Sequence, residues 1–196
     1  MGAVPVTELV SQLRPVLRLE SLTGEIDARR AVTSPDVNRP GLALTGFTES
    51  FRAERMQIFG ATEMRYLATL TPSQSAGAVG HVMQFGVPAV VICRDLDPAP
   101  GMLEAAHQHG VPVLRSPSST IDVIHELTHR LEDALAPTTT VHGSLVDVYG
   151  VGILITGRSA IGKSECALDL VERGHRLVAD DVVTIKKQAD NVVIGR

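Results

Sequence analysis

Gly157-Arg158-Ser159-Ala160-Ile161-Gly162-Lys163-Ser164 satisfies G-x-x-x-x-G-K-[ST] at every fixed position. Each part of that pattern answers a chemical need. Gly157 lets the chain leave a strand sharply, and Gly162 lets backbone N–H groups approach phosphate oxygens. Those N–H groups and the start of a following helix make an anion site. Lys163 can reach the β- and γ-phosphates of a nucleotide, and the Ser164 hydroxyl can ligate Mg²⁺. Ala160 stands where many such loops carry glycine, so the backbone has less freedom there.

Two further groups could join this chemistry. Asp180-Asp181 follow a strand candidate, and in open α/β sheets ligands bind beyond the carboxyl ends of strands. An aspartate there can hold Mg²⁺ through water or accept a proton from an attacking hydroxyl. On position alone a solvated strand end fits as well. His142 lies 21 residues before Lys163, and residue type alone reads it as a surface histidine.

His125-Glu126-Leu127-Thr128-His129 matches H-E-x-x-H, the zinc pattern of metalloproteases. The expected helix argues against that enzyme. Its apolar stripe reads Ile121, Ile124, Leu127, Leu131 and Leu135. Both histidines lie about 100–140° round from Ile124, on the polar side. Asp122 and Arg130 add charge where a buried zinc helix is apolar, and no third ligand stands out nearby. The pattern reads as a solvated helix face.

The elements that must hold these residues alternate between helix and strand. Leu9, Val10 and Leu13 follow Thr7 at helical spacing, and 55–59 is a strand candidate. Thr62 and Ser73 are candidate caps of helices running to Leu70 and Phe85. Residues 87–93 are almost all apolar and rich in β-branched types, as in a parallel strand covered on both faces. A helix over 100–109 closed by Gly110, a strand over 111–114 and a helix over 121–135 complete βαβ units. Residues 136–140 have no period, and 137–141 read as a linker between domains at 1–136 and 142–196.

The second domain opens with an alternating strand over 145–149, a turn over 150–152 and a buried strand over 153–156. The phosphate loop and a helix ending at Gly174 follow, then a strand over 176–179. Residues 182–185 and 192–194, separated by Ala189-Asp190-Asn191, read as a hairpin.

Composition narrows the class. Of 196 residues, 44% are hydrophobic and 20% charged, ordinary for a folded globular protein. A net charge of −4 argues against a generally basic nucleic-acid binder. No apolar run reaches the roughly 18 residues that a membrane span needs. Residues 1–8 lack a basic segment followed by an apolar one, so they do not read as a signal peptide. Two cysteines make no disulfide framework and have no metal-ligand spacing, which points to a reducing cytoplasm. All three lysines, Lys163, Lys186 and Lys187, fall in the last 34 positions, so a lysine at a motif position is not background.

Taken together, 136–150, the phosphate loop and Arg173-Gly174-His175-Arg176-Leu177-Val178-Ala179-Asp180-Asp181 resemble the HPr kinase/phosphorylase family. In the first half, 34–42 and 54–60 resemble that family's N-terminal domain. The resemblance implies an α/β fold: an N-terminal α/β domain with βαβ units, then the start of a P-loop kinase domain related to phosphoenolpyruvate carboxykinase. It implies phosphorylation of a serine of the phosphocarrier protein HPr with ATP or pyrophosphate. It also implies the reverse attack by inorganic phosphate, releasing pyrophosphate, in the regulation of carbon use. By the same resemblance Gly157 to Ser164 bind ATP, Ser164 ligates Mg²⁺, and His142 and Lys163 belong to the active site. Asp181 becomes the proton acceptor of the kinase direction and the donor of the reverse. The implied assembly is a hexamer, without nucleic acid or membrane.

Family members continue past the position of Arg196, so the sequence reads as C-terminally truncated. The 55 residues from 142 to 196 are few for a complete kinase domain. The expectation is weak nucleotide binding and low activity for this chain alone. The alternative is a non-catalytic oligomeric regulatory module with a vestigial phosphate loop.

Overall fold

Alternation along three short apolar strands organises the first half of the molecule. The computed structural model describes residues 2–189 and 192–196. The chain divides into two compact units, Met1–Leu135 and Ala136–Arg196.

In the first unit the elements run β1 (Val4–Pro5), α1 (Val6–Leu17), β2 (Glu20–Ser21), β3 (Ala31–Val32), β4 (Val37–Asn38), α2 (Gly41–Leu44), β5 (Met56–Phe59), α3 (Ala61–Ala68), α4 (Pro72–Met83), β6 (Val90–Ile92), α5 (Met102–His109), β7 (Val113–Arg115) and α6 (Thr120–Leu135). The main sheet has the order β2-β7-β6-β5-β4. Strands β4 to β7 are parallel and β2 is an antiparallel edge. Successive strand residues point to opposite faces. Ile58, Val91 and Leu114 therefore meet α1 and α6 through Leu9, Leu13, Leu127 and Leu131. Phe59, Val90, Ile92 and Val113 meet α3, α4 and α5 through Leu67, Val79, Met83 and Met102. A sheet covered on both faces needs the continuous apolar runs that the sequence carries.

Three local expectations are corrected. Helix α3 is capped by Gly60, whose N–H donates to the Glu63 carboxylate at 2.9 Å, and not by Thr62. Helix α4 is capped by Thr71 and not by Ser73. Pro72 at the first helical position supplies a preset φ, and Thr71 and Gln74 exchange hydrogen bonds of 3.3 and 3.0 Å. The buried stripe of α6 is Val123, Leu127 and Leu131, while Ile121 is 76% exposed. Ile121 lies about 200° round the helix from Val123, on the outer face.

Cys93 is buried in this core and Cys166 is exposed. Burial pushes the Cys93 thiol up to about 11, against the opposing pull of a hydrogen bond with Thr120. A thiol held protonated is unreactive. Ellman's reagent at neutral pH is expected to modify Cys166 in the folded protein and both thiols after denaturation. Rapid labelling of Cys93 in the folded state would contradict this core.

The second unit comprises β8 (Thr138–Val148), β9 (Val151–Thr156), α7 (Lys163–Glu172), β10 (Arg176–Ala179), β11 (Val182–Ala189) and β12 (Val192–Gly195). Residues 138–141, expected as linker, are the first four of β8. The β-branched Thr138, Thr139, Thr140 and Val141 suit a strand and pair with β11. Among the described residues every strand pairing in this unit is antiparallel. Strands β8 and β9 are joined by Tyr149-Gly150, with φ of 53° and 85°, the two left-handed residues of a type I′ turn. The turn expected between β11 and β12 contains Asp190 and Asn191, which lie outside the described residues.

Strand β9, expected to be buried, is mostly exposed: Ile153 is 41% and Leu154 36% exposed. Among the described residues α7 is this unit's only helix, and Ala167 is its only buried residue. No helix among the described residues is long and apolar enough to cross a membrane.

Candidate functional site

Strand pairing brings the chemistry together. Both β9 and β10 run antiparallel to β8 along opposite edges, so they point the same way. The segments leaving their C-terminal ends, 157–162 and 180–181, therefore share one end of the sheet. The register sets Gly143 opposite Thr156 and His142 opposite Val182, placing His142–Ser144 between those segments.

The loop ends at Gly162, which has φ 95° and caps α7. The first intrahelical bond runs from Cys166 N to Gly162 O at 2.9 Å. The N–H groups of Lys163, Ser164 and Glu165 precede it, and a helix offers no internal partner to such groups. Lys163 Nζ donates to the Arg158 carbonyl at 3.0 Å, folding the ammonium back over the loop. Ala160 has φ 63°, a left-handed conformation that costs a non-glycine residue about 1 kcal/mol or more.

The two aspartates have different surroundings. Asp180 Oδ1 accepts from Ser144 Oγ at 2.5 Å and from Ser164 Oγ at 3.3 Å. The Ser144 hydroxyl is the main reason that the Asp180 carboxyl lies below its ordinary range. Desolvation opposes this shift, while the Asp181 backbone, Ser164 and the Lys163 charge add to it. Asp181 is exposed, with φ 68°. Its carbonyl accepts from Gly143 N at 3.2 Å and lies 3.2 Å from His142 Nδ1. A carbonyl can only accept, so this contact requires a proton on Nδ1. His142, Lys163, Ser164, Asp180 and Asp181 line a cleft of about 810 Å³ together with Gly157, Ser159, Ala160 and Gly162.

The Ser164 hydroxyl and Asp180 carboxylate are hard oxygen donors on one contact, a set that fits Mg²⁺. The helix N-terminus and Lys163 beside them fit phosphate. Sequence reasoning put Asp181 forward and gave Asp180 no separate task. It missed Ser144 altogether. The available signal was a hydroxyl at a buried position within the alternating strand Gly143-Ser144-Leu145-Val146.

Ser144→Ala removes the strongest contact holding Asp180. The expected result is a rise of the Asp180 pKa toward the ordinary carboxylate value, read by carbon NMR titration. The sign follows from the depressed pKa. Ionised Asp180 contributes stability above its unfolded pKa, and that contribution is lost as pH falls through the lower folded value. An unmoved titration in the variant would exclude Ser144 as the cause.

The H-E-x-x-H residues take no part here. The His125 side chain is 77% exposed, and the described residues contain no group of three or more His, Cys, Asp or Glu placed to hold a metal ion.

Known proteins match this sequence along nearly all of its length. Residues 4–131 match the family of the HPr Serine kinase N terminus, and 133–196 match the HPr Serine kinase C-terminal domain. An HPr kinase/phosphorylase of Halalkalibacterium halodurans is 43% identical over 196 residues, covering 100% of this chain and 62% of that protein. One from Brevibacillus brevis is 47% identical over 186 residues, covering 95% of this chain and 60% of that protein. The HPr(Ser) kinase/phosphatase structure from Coxiella burnetii is 47% identical over 29% of this chain and 34% of that one; at a TM-score of 0.27 the overlap does not bear on the fold. The chain thus spans about 62% of the length of the curated relatives it matches. With both family domains matched in order, the chain belongs to the HPr serine kinase family.

Proposed function

We propose that the cleft of the second unit is the phosphoryl-transfer site of an HPr kinase/phosphorylase. In the forward direction a serine of the phosphocarrier protein HPr takes a phosphoryl group from ATP or pyrophosphate. In the reverse direction inorganic phosphate removes it and pyrophosphate leaves, as part of the cytoplasmic control of carbon use. The observation that carries this reading is the contact of Ser164 with Asp180 beside Lys163, at the sheet end that also holds His142 and Asp181.

The residues divide the work. Backbone N–H groups of 157–164 cradle the phosphates, and Lys163 neutralises charge on the transferred group. Ser164 and Asp180 would hold Mg²⁺, which supplies further charge neutralisation when bound. The exposed Asp181 carboxylate takes the seryl proton as the Ser–O–P bond forms and the donor's P–O–P bridge breaks. In reverse, phosphate oxygen attacks phosphorus, and Asp181 returns a proton to the leaving seryl oxygen. His142 and Gly143 hold the Asp181 backbone, which fixes where its carboxylate stands.

The test is incubation of the chain with HPr, Mg²⁺ and ATP or pyrophosphate, followed by intact mass. One added phosphate, absent with Lys163→Ala, supports the site. The same trace of product from both proteins overturns it. Exposed Val151, Leu177 and Val193 favour a second reading, a unit held within a homo-oligomer whose phosphate loop has no catalytic role. Size exclusion with and without ATP separates the two, because the module would assemble regardless of nucleotide.

A further inference from the structure

We infer that the first unit carries a small-molecule site of its own, a cleft between α2, α3 and α4 that takes an uncharged, flat heteroaromatic ring bearing hydrogen-bond acceptors. The cleft measures about 470 Å³, within the roughly 300–1,000 Å³ of small-molecule pockets. Helix α4 forms its floor. Gln74, Gly77, Ala78 and His81 line the cleft at i, i+3, i+4 and i+7, one face of that helix. The adjoining face, through Val79, Val82 and Met83, is locked into the core. The middle of the floor is bare. A Cβ added at Gly77 would meet nothing within 4 Å, so packing does not require glycine there. Glycine is also a poor helix former, and Gly77 lies within the helix. Its effect is to keep the cleft open and its floor flat. Leu44, Tyr66 and Leu70 add apolar surface around that floor.

The two ends of the face carry N–H donors. Gln84 Nε2 donates to the His81 carbonyl at 3.1 Å and lies 2.8 Å from His81 Nδ1. An amide nitrogen can only donate, so Nδ1 accepts and the ring proton sits on Nε2. That Nε2 is buried and has no hydrogen-bond partner among the described residues. A buried donor left unpaired is costly, and each one calls for an explanation. The His81 ring is half-buried, and rotation about Cβ–Cγ has a broad minimum. The ring can therefore turn its proton toward a ligand in the cleft, and the exposed Gln84 can follow it. At the other end, Gln74 Oε1 already accepts from the Thr71 N–H at 3.0 Å and its hydroxyl at 2.9 Å. The Gln74 amide nitrogen is left to donate. Donors at both ends select a ligand with acceptors. Among the described residues no Asp, Glu, Lys or Arg lines the cleft, so a charged ligand would lose hydration without gaining an opposite charge.

The experiment is an amide NMR titration of the full chain with nicotinamide, an uncharged ring whose carbonyl and ring nitrogen both accept. Nicotinate, the same ring with a carboxylate, is titrated in parallel. Nicotinamide is expected to shift the Gly46, Gly77, Ala78 and His81 amides saturably. Nicotinate should bind about tenfold or more weakly, because its charge finds no partner. Gly77→Leu fills the floor and should abolish the His81 shift. Leucine is the better helix former and has room at its Cβ, so circular dichroism of that variant should be unchanged. His81→Phe keeps a ring and removes the donor, and is expected to weaken nicotinamide about 3- to 10-fold. It decides the matter should the leucine variant fail to fold. No saturable shift at these amides, equal binding of the two probes, or wild-type affinity in His81→Phe overturns the assignment.

Discussion

Gly143→Ala is expected to disorder the end of the second sheet and abolish pyrophosphate binding. A Cβ at this position would stand 2.5 Å from the Ile155 carbonyl oxygen. That atom is backbone and cannot step aside without breaking the β8–β9 ladder. Leu154 Cδ1 and Thr156 Cγ2 at 3.4 Å close the other directions. Such overpacking costs about 1–3 kcal/mol, and more where backbone must move. The damage is not local, because Gly143 N also holds the Asp181 carbonyl. One added methyl group thus pushes β9, which leads into the phosphate loop, away from the aspartate pair. Hydrogen exchange should show faster β8 and β9 amides, with the first unit unchanged. Gly152→Ala in the same hairpin meets its nearest atom at 3.7 Å and should be close to neutral. Equal exchange in the two variants would show that close approach at Gly143 does not matter.

Lys163→Ala should weaken ligand binding while leaving the fold almost untouched. The residue opens α7 and its ammonium lies against the loop carbonyl of Arg158. Moving it from that carbonyl to phosphate exchanges a neutral acceptor for a charged one. A charge-assisted hydrogen bond is worth about 1.5–3 kcal/mol, or roughly 10- to 150-fold in affinity. Phosphorus NMR line broadening of pyrophosphate measures this loss. The slope of affinity against salt should fall with it, since one cation fewer meets the anion. Alanine preserves the helix, so thermal unfolding should stay near that of wild type. Unchanged pyrophosphate broadening would remove Lys163 from the phosphate site.

What could be read in advance follows physical periodicity. The strands around Ile58, Val91 and Leu114 were readable because burial on both faces demands unbroken apolar runs, and only a few arrangements use them. The phosphate loop was readable because its chemistry constrains residue types at fixed spacing. Helix caps were less so: Thr62 and Ser73 have capping side chains, yet Gly60 and Thr71 begin the helices because Glu63, Pro72 and Gln74 complete those turns. Ile121 was assigned to the wrong face because apolar type outweighed its angle about the helix. Ser144 was invisible for a different reason. Its hydroxyl acquires a meaning only when β8 and β10 pair and bring Asp180 to it, a contact across 36 residues. The antiparallel path of the second unit was hidden in the same way, since strand direction is a property of pairing and not of composition.

The Tyr149-Gly150 turn has a consequence for the order of assembly. Six residue pairs close directly across it, from Val148 with Val151 to Gly143 with Thr156. Contacts this near in sequence lose little chain entropy on forming, and isolated hairpins close within about 1–10 μs. The pairing of β8 with β11 must instead close some forty residues, from His142 to Val182. The strand leading to the phosphate loop is therefore laid down first, and the aspartates arrive against a template already in register. A nascent chain emerging from the ribosome would hold the loop's anchor before the residues that complete the cleft had been synthesised.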